Sequence, residues 1–293
     1  MKIRHDGNMA IITEIAPFHL ERTLECGQAF RWYRTGTGYA GVVGGVALRV
    51  RQEDADSLTI LDCDKDTIDL VIRYFRLRED HAGIEASLSS MDPALAEAVS
   101  FASGLRLLDQ DPWECLISFI VSARNRIPLI KRAIEALSRE FGRPLAGGFF
   151  AFPEAPSLAS AAVESIERCG TGFRAPYIKM AAERIMGSHF DFDQLRTLPI
   201  DEARARLLEF KGVGPKVADC VLLFGCGRYE AFPVDTWIAR VMSYLYFGGR
   251  EVPLRRIREF ASRRFGPLAG YAQEYLYYYA REHISRALRK QCG

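Results

Sequence analysis

One lysine and one aspartate, each at the start of an apolar helical stretch, are the residues in this chain best suited to covalent chemistry. Lys216 follows Gly212-Val213-Gly214-Pro215 and begins the run Lys216-Val217-Ala218-Asp219-Cys220. Asp235 follows Pro233-Val234, one helix and a turn later. The hairpin glycines can take positive φ and let another backbone come close. The helix after them starts with amides that lack an intrahelical partner, so its N-terminus suits an anion such as a phosphate. A cation beside the positive end of a helix is mildly unfavourable, which favours a chemical over a stabilising role for Lys216. Burial and the helix end both disfavour the charged amine, leaving the nucleophilic form. Asp235 taken alone reads as an N-cap, although a cap can also serve catalysis. Together they predict two antiparallel helices, each presenting its N-terminal residue to a shared cleft.

The elements that must position this pair change character along the chain. Strands are expected over 10–15, 29–34, 39–43, 46–50 and 58–61, with a Thr-Gly-Thr-Gly turn after the second and Gly44-Gly45 as a hairpin. The gaps are too short for crossovers, so the strands are antiparallel. From about residue 66 the period is helical. Helices are expected over 67–74 and 93–103. Asp111-Pro112-Trp113-Glu114 then opens a central one, with Asp as N-cap, Pro at N1 and Glu closing a capping box. That helix is apolar nearly all round, hence buried. Others follow from about Pro128 and over 157–165, 175–186, 201–210, 216–224, 234–246, 254–265 and 268–287. The fold class is α+β: a β-rich antiparallel domain over 1–106, then an all-α domain over 107–293.

Composition narrows the function classes. The 293 residues are 48% hydrophobic and 26% charged, ordinary for a globular protein. A net charge of +2 neither requires nor opposes a nucleic-acid partner. Basic residues do gather locally, at Arg250, Arg255, Arg256, Arg258, Arg263 and Arg264, then at Arg281, Arg286, Arg289 and Lys290. Most of them read equally well as a solvated helix face. Seven scattered cysteines and no signal peptide argue for free thiols in a reducing compartment. No cysteine cluster suits an iron–sulfur centre or zinc, and the five histidines are isolated, so no metal and no cofactor are expected. No apolar run is long enough to span a membrane.

Several segments, in order, resemble the helix-hairpin-helix DNA glycosylase superfamily, and more narrowly its 8-oxoguanine DNA glycosylases with β-lyase activity. Gly212 to Cys220 followed by Pro233-Val234-Asp235 resembles the hairpin, lysine and aspartate of that family. Cys26-Gly27-Gln28-Ala29-Phe30-Arg31-Trp32 is similar to its N-terminal Gly-Gln-Ser-Phe-Arg-Trp. Asp111 to Cys115 resembles the start of its central helix. Gly172-Phe173-Arg174-Ala175-Pro176-Tyr177 and Gly270-Tyr271-Ala272-Gln273 resemble two further motifs.

The resemblance implies a TBP-like N-terminal sheet domain and an activity. A flipped 8-oxoguanine is excised by Lys216 through a Schiff base, with Asp235 stabilising the cationic sugar, and β-elimination follows. It implies that Gly27 offers its carbonyl to N7–H and that Gln273 reads the Watson–Crick edge. Tyr277, one turn on, stacks on the base, and Cys220, one turn after Lys216, forms the opposite wall. Arg124, Asn125, Phe173 and Arg174 fill and flank the vacated space, while Gly212, Val213 and Gly214 hold the DNA backbone. The expected partner is double-stranded DNA containing 8-oxoguanine; a monomer is expected, with no membrane partner, in the cytoplasm at the nucleoid if the source is prokaryotic. Three positions depart from the family. Arg124 stands where Asn is usual, Leu129 where eukaryotic members carry an Arg that reads cytosine, and Trp237 where some carry His. The first two predict a weakened preference for cytosine opposite the lesion; the third bears on one 5′-phosphate contact. A superfamily member acting on another damaged base, and a non-catalytic DNA-binding module, are the alternatives; the latter does not need Lys216 and Asp235 together.

Overall fold

The computed structural model describes residues 1–188 and 190–284. His189, Arg286, Arg289, Lys290, Cys292 and the end of the helix expected over 268–287 lie outside them. Six strands form one antiparallel sheet: β1 (Lys2–Asp6), β2 (Met9–Thr13), β3 (Trp32–Arg34), β4 (Tyr39–Val43), β5 (Val46–Arg51) and β6 (Ser57–Leu61), in the order β1-β2-β6-β5-β4-β3. The β4–β5 turn works as the glycines suggest, with φ of +55° and +76° at Gly44 and Gly45, the double positive φ of a tight hairpin. In β2 and β5 alternate residues point inward, so Ala10, Ile12, Leu48 and Val50 are buried.

Helix α1 (Leu20–Glu25) interrupts the strands, and α2 (Lys65–Tyr74) covers the sheet. Ile68, Val71, Ile72 and Phe75 pack there with Phe18 and Trp32, and Trp32 Nε1 donates to the Tyr74 hydroxyl at 2.9 Å. Next come α3 (His81–Met91) and α4 (Pro93–Ala102), which belong to the helical core rather than to the sheet. Arg106 ties the two cores. It is 2% exposed and donates to the carbonyls of Ile15 (2.7 Å), Pro17 (3.1 Å) and Arg76 (2.8 Å).

The central helix α5 (Pro112–Ser122) has every residue from Cys115 to Val121 buried. It is followed by α6 (Ile127–Phe141), α7 (Ala155–Ser160), α8 (Val163–Ile166), α9 (Ala175–Ser188), α10 (Gln194–Thr197) and α11 (Ile200–Leu208). The last four are α12 (Pro215–Cys220), α13 (Thr236–Tyr246), α14 (Leu254–Phe265) and α15 (Ala269–Tyr279).

Several expectations need correction. β1, α1 and α3 carry weak local signals and were not anticipated: β1 is exposed at every residue, α1 is six residues long, and α3 buries only His81 and Leu88. The strand expected over 29–34 shrinks to Trp32–Arg34. The helix expected over 157–165 splits where Ala161 turns extended. Asp111 does cap α5, accepting from the Glu114 amide at 2.7 Å. Glu114 does not close a capping box; it pairs with buried Arg31 at 3.2 Å.

Candidate active site

Val213 anchors the hairpin before α12. Its side chain is 8% exposed within the helical core, and its amide donates to the Phe210 carbonyl at 3.1 Å. Of the three residues expected to hold DNA, it therefore faces inward, because the turn needs an apolar anchor. Gly212 has φ of +83°, and a Cβ there would meet the Tyr177 ring at 2.7 Å. Gly214 faces open space, and neither glycine amide has a hydrogen-bond partner among the described residues. Gly214 is the N-cap of α12 without a side-chain cap, so the first-turn amides stay available for an anion.

Lys216 sits half-buried in that first turn. Its Nζ donates to Ser122 Oγ at 3.2 Å and lies 4.8 Å from the centre of the Phe119 ring. Ser122 in turn donates to the Phe119 carbonyl at 2.7 Å. The amine thus has one neutral acceptor and an aromatic face, and no carboxylate within ion-pair distance among the described residues. Asp235 caps α13 with Oδ1 accepting from the Ile238 amide at 2.7 Å. That bond fixes the carboxylate at the helix start.

Both residues open onto one small cavity of about 70 Å³. Gly27, Cys220, Gln273 and Tyr277 line it with them, so six residues from four separate stretches of sequence converge there. Phe119, Phe224 and Pro233 supply apolar wall. Gly27 has φ of +107° and abuts Ile127, and its carbonyl accepts no hydrogen bond from any described residue. Gln273 is 5% exposed, and its Oε1 is buried without a donor. An unclaimed buried acceptor is costly, so an N–H donor entering the cavity would find a partner there. Burial pushes the Tyr277 phenol and the Cys220 thiol each up to about 12, so both are neutral walls.

Glu274 and Cys26 also line the cavity and escaped the sequence reading as site residues. Glu274 is 3% exposed, and burial pushes its carboxyl up to about 7 against the opposing pull of Cys26, Arg281 and Lys216. It stands directly after Gln273, but a glutamate in an aromatic helical run carries no sequence signal of burial.

The loop after α5 forms a second cluster. Arg124 is exposed with φ of +53°. Asn125 is half-buried and engaged locally, with Nδ2 donating to the Val121 carbonyl at 3.2 Å and Oδ1 accepting from the Arg126 amide at 2.9 Å. Arg174 was expected beside Phe173 on the duplex; instead it is 7% exposed and holds the loop. Its guanidinium donates to the carbonyls of Ala123 (2.8 Å from Nε), Thr171 (3.1 Å) and Arg124 (3.3 Å). Phe173 is 61% exposed and lies over that guanidinium at 4.3 Å. Leu129 is exposed, while the Trp237 indole N–H is buried and unpaired. Among the described residues no group of His, Cys, Asp and Glu could hold a metal ion, and no helix is long and apolar enough to cross a membrane.

Residues 117–266 match the HhH-GPD superfamily of base-excision DNA repair proteins, and residues 10–116 match the N-terminal domain of 8-oxoguanine DNA glycosylases. A probable N-glycosylase/DNA lyase from Methanothermobacter thermautotrophicus is 34% identical over 91% of this chain and 95% of its own. The N-glycosylase/DNA lyase OGG1 of Arabidopsis thaliana is 30% identical over 88% of this chain and 76% of its own. The Clostridium acetobutylicum 8-oxoguanine glycosylase/lyase, solved with double-stranded DNA containing cytosine opposite 8-oxoG, superposes with a TM-score of 0.91 at 37% identity, covering 97% of this chain and 99% of that one. The chain belongs to the 8-oxoguanine DNA glycosylase/lyase family of the HhH-GPD superfamily.

Proposed function

We infer that this chain excises 8-oxoguanine from duplex DNA and then cleaves the strand at the resulting abasic site. The observation that carries the reading is the convergence of Lys216, Asp235, Gly27, Gln273 and Tyr277 on one cavity beside an open glycine hairpin. Two unclaimed acceptors, the Gly27 carbonyl and Gln273 Oε1, suit a base with N–H groups on two edges. 8-Oxoguanine has N7–H on one edge and N1–H with N2–H₂ on the other; guanine lacks the first. Flipping the nucleotide costs a few kcal/mol in stacking and pairing, and phosphate contacts at the Gly212 and Gly214 amides offset part of it. The cavity is far below the ~300 Å³ of ordinary ligand pockets, so the base enters by widening it.

In the reaction the Lys216 amine attacks C1′ through its nitrogen lone pair. The C1′–N9 bond breaks, its electron pair leaves with the base, and the base takes up a proton. Asp235 stabilises the cationic sugar as that charge develops. The sugar ring then opens to a Schiff base between C1′ and Nζ. Loss of a C2′ proton expels the 3′ phosphate by β-elimination, and water releases the lysine. We further propose that Arg124 and Leu129 relax the demand for cytosine opposite the lesion, since Leu129 has no hydrogen-bonding group to read a base edge. A monomer working on double-stranded DNA, at the nucleoid if the source is prokaryotic, with 1–106 and 107–293 as its two domains, completes the reading.

Borohydride reduction tests it. Duplex with 8-oxoguanine should yield a covalent protein–DNA adduct that Lys216→Gln abolishes. Absence of both adduct and base release from the wild-type protein would refute the assignment. Repeating the assay with each opposite base tests Arg124 and Leu129; strict dependence on cytosine contradicts that part.

A further inference from the structure

The backbone carbonyls around Gly27 are treated unequally. The Glu25 carbonyl accepts from Arg281 Nη2 at 3.1 Å, and the Cys26 carbonyl from Arg281 Nη1 at 3.2 Å. On the other side, the Gln28 carbonyl accepts from Gln110 Nε2 at 2.9 Å. Only the Gly27 carbonyl, between them and on the cavity wall, is left unclaimed among the described residues. Gln28 fastens the segment further, donating to the carbonyls of Arg106 (2.8 Å) and Thr23 (3.0 Å) and accepting from the Leu108 amide at 2.9 Å.

Arg281 is one turn beyond Tyr277, on the continuation of α15 that also carries Gln273. Side chains one turn apart share a helix face. The helix that presents one base reader therefore reaches across, through Arg281, to the backbone that presents the other. The guanidinium is itself fixed, with Nε donating to Glu282 at 3.0 Å and the Tyr278 ring 5.3 Å away. Its planar fork suits two adjacent acceptors in a way that a lysine ammonium does not.

We propose that Arg281 is a positioning residue for base selection: it clamps the Glu25 and Cys26 carbonyls so that the free Gly27 carbonyl stands at a fixed separation from Gln273 and Tyr277. The proposal rests on the assignment of Gly27 as a base reader. Arg281 makes no contact with Lys216 or Asp235 among the described residues, so the clamp acts on recognition of the base and leaves the chemistry on the sugar alone.

Two substrates separate these roles. Single-turnover excision of 8-oxoguanine needs the base readers, whereas strand cleavage at a preformed abasic site needs only Lys216 and Asp235. Displacing a reacting or reading group by about 1 Å can cost about a hundredfold. Arg281→Met is expected to slow excision by about ten- to a hundredfold and to leave abasic-site cleavage within about twofold. Arg281→Lys, which keeps the charge and loses the fork, is expected to recover excision only in part. A parallel fall in both activities, or unchanged excision in Arg281→Met, overturns the clamp. A wild-type protein that cleaves abasic sites and releases no 8-oxoguanine overturns the underlying assignment and the clamp with it.

Discussion

Helix α15 has two faces, and they handle polar groups in opposite ways. Tyr271 and Tyr275 point to the side where the sheet-bearing half meets the helices. The Tyr271 hydroxyl donates to Glu79 at 2.7 Å, and the Tyr275 hydroxyl lies 2.8 Å from Glu85, 3.0 Å from the Leu105 carbonyl and 3.0 Å from His81 Nε2. Gln273 and Tyr277, two residues along in each case, point to the cavity, where Gln273 Oε1 has no partner. Tyr271, Tyr275 and Gln273 are buried and Tyr277 is half-buried, so both groups of side chains carry a cost of leaving water. One face recovers it inside the protein, and the other leaves it to be recovered from a ligand. Polar satisfaction, rather than polarity, separates the closed side of this helix from the side that faces the cavity.

Breaking the cavity that this side faces, at its far wall, should cost activity and little stability. Asp235→Asn keeps an N-cap of similar quality and removes the carboxylate charge. Excision and abasic-site cleavage should both fall by about 10²–10³-fold, the usual cost of one preorganised electrostatic group, with Tm hardly moved. A loss of less than about tenfold in single-turnover assays would reduce Asp235 to a cap.

Glu274 tests the same face through pH. From the ordinary carboxylate range up to about 7, the folded protein keeps a proton that the unfolded chain has lost. Stability from this group is therefore greatest at low pH, falls as pH rises through that window, and levels off above it. Glu274→Gln should remove that slope and stabilise the protein near pH 8 by up to about 3 kcal/mol. Thermal unfolding of both proteins across about pH 4.5 to 8 reads it directly. Parallel curves would show that the Glu274 proton plays no part. A gain of this sign fits a group kept for function at the expense of stability.

A smaller effect is expected from Gln273→Ala. It should lower 8-oxoguanine excision by about ten- to a hundredfold, the discrimination of one good base-edge contact, while cleavage of a preformed abasic site stays near wild type. Equal losses on the two substrates would move Gln273 from reading the base to holding the fold.

What could be read from sequence follows from range. The hairpin, Lys216 and the Asp235 cap are local signals, a few residues each, and the structure carries all three in place. The β4–β5 hairpin was legible for the same reason, through Gly44-Gly45. Gly27, Gln273, Tyr277 and Cys220 came from motif resemblance, because nothing local reports that residue 27 meets residue 273. Arg281 read only as one of a local basic group and Glu274 carried no signal of its own, since their meaning lies in contacts with Cys26 and the cavity across most of the chain. Arg174 shows the converse: the motif suggests a contact with the vacated space, and only packing reveals that its donors are engaged by the Ala123, Arg124 and Thr171 carbonyls.

Tyr275→Phe probes the closed face and should give the smallest change, in stability alone. The substitution keeps the ring and deletes one hydroxyl, leaving Glu85 Oε1, the Leu105 carbonyl and His81 Nε2 each short of one neighbour. Glu85 is well placed to tolerate this, because it also accepts from the Gly104 amide at 2.7 Å and from Ser103 at 2.9 Å. The buried His81, which burial holds down near 3 and hence neutral, keeps the Leu105 backbone and the Glu85 carboxylate, 3.6 Å away, as its remaining polar neighbours. The expected loss is about 1–2 kcal/mol, within the range for a buried partner left unsatisfied, seen as a lower urea midpoint with unchanged slope. Excision per folded molecule should stay at the wild-type value. If Tyr275→Phe instead slowed excision as much as Gln273→Ala does, the two faces of α15 would be coupled, and unclaimed polar atoms would no longer mark where the helix meets its substrate.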